Sequence, residues 1–318
     1  MIMTIFEQPL PEWANRFNFT HHSASGVARS DSHELFGKCY AKPNKIYDPP
    51  GCTMIGGICA ENFAKDVLIK NMPYEKAMEK ALAKFDAHKC QKHNLDDAKK
   101  HKIIRNEIYT VPKSKADKKA KVPPETGSVF ELTLKHTLSA LREATKGANK
   151  IVDGRKISFS MPGLELDFIG EMDVEALGGV IEIKTKWPKI SKEGRGWNTN
   201  SLPSKLTGQF VADNVAQIGL YWAWLKKQSK TVPAKLIYAN NIGYRIFSNA
   251  DSEFLTDERF LRALEDMRLT AKIRENMMAR SSNLEELFGL VNPDFSDWRW
   301  QYAAPDFLKK AKQLWSHL

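Results

Sequence analysis

The segment LDFIGEMDVEALGGVIEIKTK, residues 166–186, constrains the fold more than any other part of the chain. Two apolar, β-rich runs flank Ala-Leu-Gly-Gly, which predicts an antiparallel hairpin turning at Gly178-Gly179. Strand side chains alternate, so Glu182 and Lys184 share one face while Ile181, Ile183 and Thr185 take the other. Burying Ile181 and Ile183 fixes the register, because a slip of one residue turns every side chain over. Asp173 then lies on the first strand, opposite Glu182 and Lys184. Two carboxylates and a lysine on one face are costly in a core unless something pairs with them. A divalent cation is a natural partner, since Mg²⁺ takes one or two carboxylates plus water and phosphate oxygens. The alternative is an edge hairpin whose Glu182 and Lys184 face solvent, because a D…ExK pattern alone arises readily by chance.

Around this hairpin the texture of the chain changes twice. Residues 1–57 are rich in turn formers, including the Gly56-Gly57 pair, with one helical candidate over Ser32–Tyr40. Helices are predicted over 58–70 and 74–88, where Ala77, Ala81, Leu82 and Phe85 recur at helical spacing. Residues 89–121 carry 11 Lys/Arg against 4 Asp/Glu, a solvated loop or a phosphate-contacting patch. A helix follows over Val129–Ala144, then strands over Lys156–Ser160, Leu164–Val174 and Val180–Thr185. An irregular stretch reaches Ala212, and a strong helix runs Asn214–Gln228 with Asp213 as its N-cap. Two more strands, Lys235–Ala239 and Tyr244–Phe247, precede a largely helical remainder. This order predicts an α/β fold, a small mixed sheet flanked by helices. Three regions are expected: N-terminal helices over 1–128, a core over 129–250, and C-terminal helices over 251–318 packed on that core.

At 318 residues the chain is long enough to bury a substantial core, and its net charge of +10 points to a polyanionic partner. Its longest apolar run, Ile218–Leu225, falls far short of the ~20 residues of a membrane span, and no secretory signal is visible. No membrane association and a cytoplasmic location are expected. His88, Cys90, His93 and His101 form a loose cluster without the tight paired spacing of a zinc site. No GxxxxGK[ST] motif is present, so no nucleotide requirement is expected.

One helix pattern adds to the hairpin. Gln217 and Tyr221, four residues apart, project from one face of an otherwise apolar helix, and a buried glutamine needs a partner. Taken in order, Gly170-x-x-Asp173, Glu182-x-Lys184 and Gln217-x-x-x-Tyr221 resemble the RecB-like branch of the PD-(D/E)XK nuclease superfamily. The run Phe210…Asp213-Asn214…Gln217…Tyr221 is most similar to its mitochondrial genome-maintenance and phage exonucleases. The match spans roughly residues 155–250, with weaker echoes upstream. It implies a restriction-endonuclease-like core, and Mg²⁺ or Mn²⁺ held by Asp173, Glu182 and the carbonyl of Ile183. Lys184 becomes the catalytic lysine, and Gln217 and Tyr221 position substrate or water. The family also carries an upstream helical ligand four residues after a glycine. Gly57…Glu61 and Gly127…Glu131 both fit, Glu61 being preferred. The iron–sulfur cluster of some relatives is not expected, because no cysteine follows Cys90.

DNA with free ends is the expected partner, and a phage-encoded origin fits the resemblance. Lys186, Trp187, Arg195, Trp197 and Lys205 lie in the loop joining the Lys184 strand to the Gln217 helix. They offer charge and stacking surfaces for a nucleic-acid strand. The expected activity is a metal-dependent DNA exonuclease. The alternatives are a DNA-end-binding protein without activity, or an endonuclease.

Overall fold

The computed structural model of the chain describes residues 9–88, 95–113, 123–190, 197–206, 209–250 and 252–317. At its centre lies a five-stranded mixed sheet: β1 (Ile151–Phe159), β2 (Phe168–Ala176), β3 (Gly179–Thr185), β4 (Ala234–Asn240) and β5 (Gly243–Ser248). The strands sit side by side in chain order. All neighbours are antiparallel except β3 and β4, which run parallel. A parallel pair needs a long crossover, and here residues 186–233 supply it.

The longer helices cover both faces: α1 (Cys52–Leu68), α2 (Tyr74–Asp86), α3 (Leu95–Asn106), α4 (Val129–Ala144), α5 (Gln209–Lys226), α6 (Asp257–Arg280) and α7 (Pro305–Ser316). On one face, Val174, Ile181, Ile183 and Ile237 pack with Phe63, Phe85, Phe130, Leu134 and Leu138 from α1, α2 and α4. On the other, Met172, Val180, Leu236 and Tyr238 meet Ile218, Leu220, Trp222, Phe260 and Met267 from α5 and α6. Each such fully buried aliphatic side chain contributes about 2 kcal/mol. The β3 strand, covered on both faces, is therefore an apolar run from Val180 to Ile183 that Glu182 interrupts, with Lys184 and Thr185 at its exit.

Local chemistry sets the boundaries. Ser128 and Glu131 close a capping box at the start of α4, each accepting the other's backbone amide. Leu177 and Gly178, with φ of +56° and +72°, make the two-residue turn between β2 and β3. A third apolar cluster joins Trp13, Phe17, Phe19, Leu35 and Phe36 to Met278, Phe288, Trp300 and Phe307, so the two ends of the chain share one core. Arg274, fully buried, clamps this union by donating to the carbonyls of Gly26 and Arg29 and to Asp31.

Several boundaries differ from expectation. α1 starts at Cys52, and the Gly56-Gly57 pair lies inside it. A Cβ on Gly56 would stand 2.7 Å from the Trp187 ring, so the glycine serves close approach and not a turn. α5 starts at Gln209, which places Asp213 inside the helix, exposed, and not at its N-cap. Over Asp31–Ala41 the helix widens from an α-helix into a π-helix from Phe36. No helix among the described residues is long and apolar enough to cross a membrane.

Candidate active site

The hairpin ladder breaks where the carboxylates stand. Pairing of β2 with β3 runs from Ala176↔Gly179 through Glu175↔Val180 to Val174↔Ile181 and stops there. The pairing of β1 with β2 passes from Asp153↔Val174 to Arg155↔Met172, omitting Gly154 and Asp173. Gly154 takes a left-handed φ of +61°, which frees the backbone at this point. Asp173 thus belongs to neither ladder, and its Oδ2 accepts the Ile183 amide at 2.8 Å in place of a strand carbonyl.

Glu182 has no exposed surface. Its Oε1 accepts from Lys184 Nζ at 2.5 Å, while its Oε2 is buried with no partner. Lys184 Nζ also donates to Gln217 Oε1 at 3.1 Å, Gln217 Nε2 to the Tyr221 hydroxyl at 3.3 Å, and that hydroxyl to the Glu171 carbonyl at 2.9 Å. The chain of bonds runs from β3 through α5 and back to β2. A Cβ on Gly170 would lie 2.8 Å from the Tyr221 ring, so only glycine lets the tyrosine reach that carbonyl. The three sequence motifs therefore meet at one place.

The upstream candidates separate cleanly. Glu131 is committed to Ser128 at the α4 N-terminus. Glu61, on α1, lies close enough that its charge raises the pKa of both Asp173 and Glu182. Ile183 pairs with Ile237 in the parallel ladder, and its side chain lies in the core under α1 and α4.

Electrostatics follow from this crowding. Burial, then Glu182 and Glu61, hold the Asp173 carboxyl well above the usual range. Burial raises Glu182 too, against the pull of Lys184. Burial alone would lower Lys184, but Glu182 and Asp173 outweigh it and keep the ammonium charged. Burial, then the Glu182 charge, pushes the Tyr221 phenol up, so Tyr221 is a hydrogen-bond donor and not a base.

Three carboxylates, one of them with an orphaned buried oxygen, form a donor set suited to a hard divalent cation. Among the described residues, however, no three His, Cys, Asp or Glu side chains are grouped tightly enough to hold a metal ion. The reason lies in the partners: Lys184 occupies Glu182, and Lys65 occupies Glu61. Lys65 and its second partner Asp153, at 3.1 Å, were not singled out by sequence. The Glu61-x-x-x-Lys65 spacing marks a helical pair, but nothing in it shows that the lysine is only 3% exposed.

The loop residues are placed unevenly. Lys205 is exposed, and Lys186 is half-buried over the Tyr238 ring at 5.1 Å. Trp197 is half-buried against Tyr109. Trp187, expected as a stacking surface, is instead 5% exposed and stacked on Phe130, so it offers no face to a base. Arg195 lies outside the described residues, as do Cys90, His93 and the two ends of the basic run, 89–94 and 114–121. His88 bonds to Asp97 at 3.1 Å, and His101 to the Phe85 carbonyl.

No family model matches the chain, and no curated protein matches it.

Proposed function

We propose that the chain is a metal-dependent DNA nuclease with a restriction-endonuclease-like core, acting as an exonuclease at or near DNA ends. The observation that carries this reading is the meeting of Asp173, Glu182 and Lys184 with Glu61 beside them, at the point where the hairpin opens. A purely structural strand pair has no use for a fully buried glutamate with an unpartnered oxygen, which costs about 1–3 kcal/mol or more.

Asp173, Glu182 and Glu61 are the residues that would hold Mg²⁺ or Mn²⁺. Such an ion, when bound, polarises a phosphate and lowers the pKa of water. Lys184 remains a cation, so its part is to neutralise charge developing on the phosphate and to hold a water by donation. Gln217 fixes the Lys184 ammonium, and Tyr221 in turn fixes Gln217. Lys186 and the exposed Lys189 follow directly on β3, and with the exposed Lys205 further along the same crossover they supply phosphate contacts without base reading.

Linear and covalently closed plasmid DNA, incubated with Mg²⁺, Mn²⁺ or EDTA, test the reading. Metal-dependent loss of the linear form alone is expected. Cutting of both forms would make the chain an endonuclease, and binding without cutting would make it a non-catalytic DNA-binding protein.

A further inference from the structure

Lys65 is a buried cation with two carboxylate partners of different standing. Its ammonium contacts Glu61, one turn earlier on α1, and Asp153 Oδ1 on β1 at 3.1 Å. With the side chain about 4% exposed, the charge has no route to water. A buried ion left without a partner is strongly destabilising. Glu61 can therefore change partners only if another acceptor keeps the lysine, and Asp153, half-buried, already stands in contact with it. Asp153 is itself anchored from the far side, where its Oδ2 takes Lys70 at 3.1 Å. Lys70 also contacts Asp66, and Lys80 reaches the other oxygen of Asp66 at 2.6 Å. This ladder of alternating charge fixes Asp153 next to Gly154, beside the break in the strand that carries Asp173.

From this arrangement we infer that Lys65 is a resident counter-ion that reserves Glu61 in the metal-free protein, with Asp153 as the acceptor that retains the lysine when a divalent cation takes Glu61. The inference rests on the metal-dependent reading above and assigns Lys65 and Asp153 a positioning role. It also accounts for three carboxylates that crowd one another electrostatically yet are not closed into a cage.

The test is Mn²⁺ affinity in the absence of DNA, read by electron paramagnetic resonance on the full chain. Lys65→Met removes the competitor, and Asp153→Asn weakens the acceptor that retains it. Mn²⁺ is expected to bind Lys65→Met about tenfold more tightly than wild type, and Asp153→Asn about tenfold more weakly. Opposite shifts support the inference. Affinities within about twofold of wild type for both variants, or shifts of the same sign, overturn it while leaving the nuclease reading intact. If Lys65→Met does not fold, Asp153→Asn decides alone: weaker binding supports the role, unchanged binding overturns it. A wild type that binds no Mn²⁺ overturns the inference and the metal-dependent reading together.

Discussion

His33 shows how much a single buried residue contributes away from the candidate site. It is 7% exposed, packs against Trp300 at 4.7 Å and Phe307 at 5.6 Å, and neither ring nitrogen has a hydrogen-bond partner. Burial, with help from Arg29, lowers its pKa from 6.5 to about 4. A histidine with a depressed folded pKa stabilises the fold above its unfolded value and loses that contribution as pH falls through the interval. The window is thus from about pH 6.5 down to about pH 4, and the loss is about 3 kcal/mol. His33→Phe keeps the aromatic packing and has nothing to titrate. Urea midpoints measured across this range should fall more steeply for wild type than for the variant. Parallel curves would contradict the assignment. The buried pair at the site obeys the same physics with opposite sign, because burial pushes both Asp173 and Glu182 up, with the Glu182 charge adding to it at Asp173 and the Glu61 charge at both.

Strand β3 carries most of the architecture at the scale of elements. It is covered on both faces, pairs antiparallel with β2 and parallel with β4, and brings Glu182, Ile183 and Lys184 to the break in the hairpin. Its first residue, Gly179, sits against the chain that enters β4: a Cβ there would lie 2.1 Å from the Pro233 carbonyl oxygen. Backbone cannot rotate away as a side chain does, so Gly179→Ala should cost at least about 3 kcal/mol, by chemical denaturation. A change below about 1 kcal/mol would show that the two strands separate easily there. The hairpin, α4 and the β4–β5 pair were legible because alternation, capping and turn residues all point the same way. Gly56-Gly57 and Trp187 were not. The glycines break a helix by propensity, and a tryptophan in a lysine-rich loop looks exposed; each is explained only by the other, across 131 positions of sequence. Glu61 and Glu131 both follow a glycine by four residues, and only the fold separates the one beside Asp173 from the one that caps α4. Lys65 was invisible because burial of a lysine has no local signature.

At the scale of the whole molecule, segments far apart in sequence are packed together. Residues near both termini form a common core, and Arg274 ties residues 26–31 to α6 from the face remote from α1. The helices α1 and α5 approach the sheet from opposite faces, and their polar residues meet Asp173 and Lys184 where β2 parts from β3 and its ladder with β1 skips Asp173. The site therefore draws on both faces of the sheet, and the role of Asp173 is best tested on the intact chain with its smallest possible change. Asp173→Asn keeps an oxygen to accept the Ile183 amide and removes only the charge. End-labelled linear DNA, incubated with Mn²⁺ and wild type or Asp173→Asn, is the direct measurement. Wild type should release label only with the metal present, and the variant should bind DNA normally yet cleave at least about a thousandfold more slowly. Cleavage by Asp173→Asn at the wild-type rate would remove Asp173 from the site, and no cleavage by wild type with any divalent metal would show that the chain is not a metal-dependent nuclease.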